Sequence, residues 1–180
     1  MNNENIQPFK QWSPKLGQRV MVAPQAFING DVELGDDCSV WPMAVIRGDM
    51  HKIRIGNRVS IQDGAVLHIT HQSDFNPEGH PLMIGDDVTI GHNACLHGCQ
   101  IENEVLIGIG VTVLDGAKIP SQVVIGAGSL VPPGKQLESG FLYIGSPVKK
   151  TRELNDKEKS FFKYSAQNYV KLKDEYLKNL

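Results

Sequence analysis

The chain has 180 residues, enough for one domain with a real core. A net charge of −2 gives no electrostatic reason to expect nucleic acid or an anionic membrane surface as a partner. No apolar run approaches the ~20 residues that span a bilayer, and the polar stretch Met1 to Trp12 lacks the apolar centre of a signal peptide.

Taken in order, Met1 to Leu16 reads as an irregular lead-in. From Val22 an aliphatic residue then recurs every six positions: Val22, Ile28, Leu34, Val40 and Ile46. After a three-residue insertion the series resumes at Ile55, Ile61 and Leu67, and after a longer one at Ile84, Ile90 and Leu96. One step is a residue short, and Ile101, Ile107, Val113, Ile119, Ile125 and Val131 complete it. All of these are Val, Ile or Leu, which make up only a quarter of the chain, so chance is excluded.

Four residues after most of these stands a small or β-branched residue, such as Ala26, Val32, Cys38, Ala44, Ala65 or Ala94. Glycine often follows the aliphatic residue directly, as at Gly35, Gly56, Gly85, Gly91, Gly108 and Gly126, where a turn with unusual backbone angles is expected. A period of six is neither helical nor a plain alternating strand. It marks an all-β fold, a parallel β-helix of hexapeptide repeats around stacked aliphatic side chains. Cys38, Cys95 and Cys99, without C-x-x-C spacing, read as small buried side chains in a reducing, cytoplasmic setting.

After Val131 the pattern stops. Pro132-Pro133-Gly134 marks a turn, and Phe141 to Pro147 reads as a short extended crossing. Asn155-x-x-Glu158 has the form of a capping box. It opens a C-terminal α-helix whose stripe of Phe162, Ala166, Tyr169, Leu172 (or Lys173) and Tyr176 packs along the outside. The expected organisation is a β-helix domain with its lead-in over residues 1–150 and the packed helix over 151–180.

Three hexads make one coil of a triangular prism, so residues three hexads apart stack on one face. If the insertions bulge at corners without adding strands, Ile46, Leu67 and Leu96 share a face and Ile61 and Ile90 share another. Arg47, His68 and His97 then form a column one coil apart, and His92 sits above Asp63 on the other face. Strands ~4.8 Å apart let two stacked imidazoles converge on one metal. A three-fold arrangement of prisms would bring His92 of one subunit to His68 and His97 of its neighbour. Three imidazoles leave an open fourth position, the pattern of catalytic zinc, whose water can reach a pKa of ~7. Imidazole also accepts Fe2+ or Co2+.

The runs Ile46-Arg47-Gly48-Asp49, Ile61-Gln62-Asp63-Gly64-Ala65-Val66-Leu67-His68, and Gly91-His92 through Leu96-His97-Gly98 resemble the γ-class carbonic anhydrase family. The chain is most similar to its short bacterial, ferripyochelin-binding-like branch within the hexapeptide-repeat transferases. That resemblance implies a left-handed β-helix, a homotrimer, and zinc held by His68 and His97 of one subunit with His92 of the next. It implies reversible hydration of CO2 to bicarbonate by a zinc-bound hydroxide. It further implies that Arg47 pairs with Asp49 or Asp63 across the interface, and that Gln62 hydrogen-bonds the zinc-bound water or bicarbonate.

One departure stands out: Met50 and His71 occupy places where the archetypal enzyme carries glutamates that serve proton transfer. His71 or His80 in the 69–83 insertion could relay the proton instead, since imidazole titrates near neutrality. Two other function classes stand beside the enzyme. One is a non-catalytic metal-binding or scaffold trimer. The other is a hexapeptide-repeat acyltransferase that uses a single interface histidine as base.

Overall fold

The computed structural model describes residues 4–178. Parallel strands wind into about eight coils with three walls, the hexapeptide β-helix that the six-residue period calls for. Two long strands, Phe27–Leu34 and Val45–Ile55, run round a corner and belong to two walls each. The wall that will matter most stacks Val45–Ile55, Val66–His68, Cys95–His97, Thr112–Val113 and Leu130–Val131. A second wall stacks Ser39–Val40, Ser60–Ile61, Thr89–Ile90, Val105–Ile107 and Val123–Ile125.

The periodic aliphatic residues point inward. Ile28, Val40, Ile46, Ile61, Leu67, Ile90, Leu96, Ile107, Val113 and Ile125 are fully buried, and Val22, at the start of the series, is half-buried. The small column beside them (Ala26, Val32, Cys38, Ala44, Ala65, Ala94) is buried as well, filling the space at each corner. Each such aliphatic side chain contributes about 1.5–3 kcal/mol by leaving water. Cys38 and Cys99 are buried and Cys95 half-buried, all as free thiols.

The glycines after the aliphatic residues correct the sequence reading. Gly35, Gly56 and Gly85 do not adopt positive φ. They are small because the next coil leaves no room: a Cβ at Gly56 would lie 2.3 Å from the Asp86 carboxylate and one at Gly85 2.3 Å from the Asn103 side chain. Those oxygens accept the following backbone N–H groups, Asn57 N at 2.7 Å and Asp86 N at 2.8 Å. The left-handed region is used at other corners, for instance by Gly64 (φ +70°) and Asn93 (φ 56°).

Both insertions bulge outward without adding a coil. At the short one the register jumps from Gly30 opposite Gly48 to Val32 opposite Ile53, so Asp49–Lys52 loops out of an otherwise continuous strand. The long one leaves between buried Ile69 and buried Leu82, and a Thr70–His80 bridge closes its neck.

At the far end a hairpin of Phe141–Ile144 and Lys149–Glu153 caps the stack. The helix Asp156–Leu177 then returns along the second wall, opened by the capping box of Asn155 and Glu158. Phe162, Ser165, Ala166 and Lys173 are its buried residues, with Tyr169 and Leu172 packed against the core. Lys173 takes the deepest position because its ammonium reaches Asp37, at 3.3 Å, and Asp174. Thr89 and Ser165 share a hydrogen bond of 2.9 Å, and Trp41 meets the edges of Tyr169 and Tyr176. No described helix is long and apolar enough to cross a membrane.

Candidate metal centre

The register of the walls decides which polar side chains meet. Ile46 pairs with Leu67 and Leu67 with Leu96, so the following residues Arg47, His68 and His97 line up on the outside of one wall. His68 Nδ1 lies 3.1 Å from His97 Nε2. The opposite edges of both rings face carboxylates: His68 Nε2 is 3.2 Å from Asp49 Oδ1, and His97 Nδ1 is 2.6 Å from Asp115 Oδ1.

A carboxylate can only accept, so the nitrogens facing Asp49 and Asp115 carry the protons. The two bare lone pairs then point at each other across 3.1 Å. A shared proton would relieve this only by turning one ring into an imidazolium. Burial opposes that, pushing the His68 pKa down by more than the Asp49 bond raises it. A cation held between the rings resolves the conflict. Two Zn–N bonds of ~2.0–2.1 Å at a tetrahedral angle would separate the nitrogens by about 3.3 Å, close to the observed spacing. The donor set therefore fits a divalent metal, with each ligand ring oriented by a carboxylate.

Asp49 is also gripped by Arg47. Burial alone would raise its pKa, but the bonds from Arg47 and His68 outweigh that and hold it below the usual carboxylate range. Arg47 is expected to pair with Asp49 or Asp63 across an interface; within one chain it bonds Asp49, while Asp63 meets His92, Oδ2 to Nδ1 at 3.0 Å.

His92 occupies a different part of the chain. Ile61 pairs with Ile90, which stacks Gln62 and Asp63 against Gly91 and His92 at the end of the second wall. Its side chain is 44% exposed. Among the described residues, no three metal-ligating groups gather within one chain. The structure thus brings His68 and His97 together and leaves His92 apart.

Gln62 is buried, and its amide bonds to the phenol of Tyr169 from the C-terminal helix. Burial and the nearby Asp63 charge push the Tyr169 pKa up, keeping it a neutral phenol. His71 is exposed on the insertion, and the His80 ring lies over the corner formed by Gly98 and Gly116. Met50 is largely exposed on the short bulge.

Sequence reasoning passed over Asp115 and Thr70, and gave Tyr169 only a packing role. Asp115 was within reach: the second position after each aliphatic residue of this wall, from Ile46 to Val131, holds Gly48, Ile69, Gly98, Asp115 and Pro133, and only Asp115 is ionisable. Thr70 donates to Asp115 Oδ2 at 2.7 Å. Tyr169 had no such signal, because a six-residue period does not say how the helix lies on the wall.

Residues 13–48 match the family model described as bacterial transferase hexapeptide (six repeats). The chain is 59% identical to protein YrdA of Escherichia coli over 96% of this chain and 94% of that one. It is 48% identical to a probable carbonic anhydrase of Methanocaldococcus jannaschii, covering 88% of this chain and 96% of the relative. The chain belongs to the γ-class carbonic anhydrase family. Its backbone also superposes, with a TM-score of 0.90 and 39% identity, on a structure from Bacillus cereus described as a putative acetyltransferase, over 97% of this chain and 98% of that one. Membership in the γ class implies a metal cofactor, and the paired rings of His68 and His97 are where this γ-class chain offers donors for one.

Proposed function

We propose that the protein is a zinc-dependent γ-class carbonic anhydrase that hydrates CO2 reversibly to bicarbonate. Its site would lie between subunits of a cytoplasmic homotrimer, with His68 and His97 from one subunit and His92 from the next. The observation that carries this reading is the pair of ring nitrogens facing each other 3.1 Å apart, each ring with its other nitrogen on its own carboxylate. Exposed apolar side chains beside both halves support the assembly. Val66, two residues before His68 on the same wall, is 39% exposed; Ile109, one coil from His92, is 56% exposed, and Met43 is 67% exposed.

Zinc held there would supply a water acidified to a pKa of ~7, nucleophilic near neutral pH. The chain's own residues would do the rest. Asp49, Arg47 and Asp63 hold the ligand rings in orientation, Asp49 directly on His68 and Asp63 on His92. Gln62, fixed from behind by Tyr169, presents its amide to the attacking water or the bicarbonate product. Each turnover releases a proton, and His71 or His80 on the insertion would carry it to solvent.

Three measurements test this: zinc per subunit, oligomeric state by sedimentation, and CO2 hydration by stopped flow. A trimer with one zinc per subunit and measurable hydration, both lost in His97→Ala, is the expected outcome. A metal-free monomer rejects the whole reading. The presence of Met50 and His71 favours one other reading, a metal-binding trimer without catalysis. A zinc-loaded wild-type trimer that does not hydrate CO2 would select it.

A further inference from the structure

Asp115 enters the candidate centre from the coil after His97. Its two carboxylate oxygens are both committed: Oδ1 to His97 Nδ1 at 2.6 Å and Oδ2 to the Thr70 hydroxyl at 2.7 Å. The corner is shaped to admit it. Gly98 holds φ at +51°, and a Cβ there would lie 2.4 Å from that same Oδ1. Any larger residue at 98 would push the carboxylate off the imidazole. Thr70 is the first residue of the long insertion's neck, tied by backbone bonds to His80, whose side chain also crowds Gly98.

We infer that Asp115 is the positioning residue that leaves His97 Nε2 free for a metal, with Thr70 anchoring the carboxylate and coupling the insertion to it. The inference rests on the metal reading above, since it assigns Asp115 the task of presenting His97 to that ion. Its physical content is separate. A neutral imidazole divides its proton between two nitrogens, and a carboxylate on one side places the proton there and the lone pair on the other. Outer carboxylates of this type also raise the basicity of the ligand ring, and losing one weakens metal binding by about 10–100-fold. The Thr70 hydroxyl adds a second hydrogen bond that stops the carboxylate rotating away. Movement of the insertion's neck is thereby transmitted to a ligand ring.

The test is zinc affinity by competition with a chromophoric chelator, together with 15N NMR of histidine-labelled, metal-free protein. Asp115→Ala is expected to bind zinc about 10–100-fold more weakly than wild type. Asp115→Asn, which keeps an acceptor for Nδ1–H, should recover part of that loss, and Thr70→Val should weaken binding about threefold. In the metal-free wild type His97 should carry its proton on Nδ1, and Asp115→Ala should shift it toward Nε2. Affinity of Asp115→Ala within twofold of a zinc-binding wild type overturns the inference and leaves the metal reading intact. If the wild type takes up no zinc, the metal reading falls, and the His97 proton decides by itself: equal populations in wild type and Asp115→Ala overturn the inference. Should Asp115→Ala not fold, Thr70→Val carries both measurements, with wild-type affinity and an unshifted proton counting against it.

Discussion

The two halves of the candidate centre differ in how much of their geometry one chain supplies. On the wall of His68 and His97, register, ring orientation and carboxylate partners all come from a single chain, over four coils. At the end of the neighbouring wall His92 has an orienting carboxylate but is nearly half exposed, and its apolar neighbours face outward. One half is finished on folding, and in the proposed trimer the other would become a ligand only on assembly. A β-helix suits this division, because stacking fixes positions along a wall to within a strand spacing while the outer faces stay available.

Mixing defective subunits would break the comparison most completely. His92→Ala and His97→Ala should each form trimers without bound zinc or activity. Co-refolded together, the two should regain both, because a His97→Ala subunit lends its His92 to the intact pair of a His92→Ala neighbour. Failure of the mixture to regain zinc would mean that the halves do not meet across subunits. Next in size is the support under the finished half. Leu67 is fully buried directly before His68, so Leu67→Ala should cost about 2–5 kcal/mol in denaturant unfolding. A comparable truncation on the surface should cost far less.

Acidity separates the halves more gently. The fold depresses the His68 pKa through burial, so the native state favours the neutral ring. The stability tied to that neutral form is present above the ordinary histidine value of about 6.5 and is lost as pH falls through the lowered native value. Metal-free protein should therefore lose melting temperature on going from pH 7 to 5, with a shallower slope in His68→Gln. Asp49, depressed by Arg47 and His68, acts in a lower window and loses its contribution only below about pH 4. The smallest expected effect is at Tyr169→Phe, which releases the Gln62 amide without touching a ligand. It should lower CO2 hydration a few-fold with zinc content unchanged, whereas loss of zinc would show that Tyr169 only supports the fold.

The walls and the histidine column were legible because a strict period of six carries register. Once Leu67 and Leu96 are assigned to the same interior stack, the alignment of His68 with His97 follows. The same reasoning placed His92 over Asp63 and foresaw the two outward bulges. What the period could not carry is which way a side chain turns after it leaves the wall. Arg47 had two candidate carboxylates, and within one chain it meets Asp49, two residues on at the start of the short bulge. Asp115 lies 18 residues after His97, so the period puts it on the next coil but does not say that its carboxylate turns back onto the His97 ring. The glycines after the aliphatic residues were misread as torsional: at Gly35, Gly56 and Gly85 the cause is a carboxylate or carboxamide of the next coil filling the space, and at Gly91 and Gly108 it is the next coil's backbone.

That last feature bears on how the molecule is made. The N–H of Asp36 is satisfied by Asn57, that of Asn57 by Asp86, and that of Asp86 by Asn103. These rungs are thus sealed by residues still to be translated, and a polypeptide that has emerged only this far ends in an unsealed rung. Stalled nascent chains should resist protease only up to one rung short of their length, until the terminal hairpin closes the last.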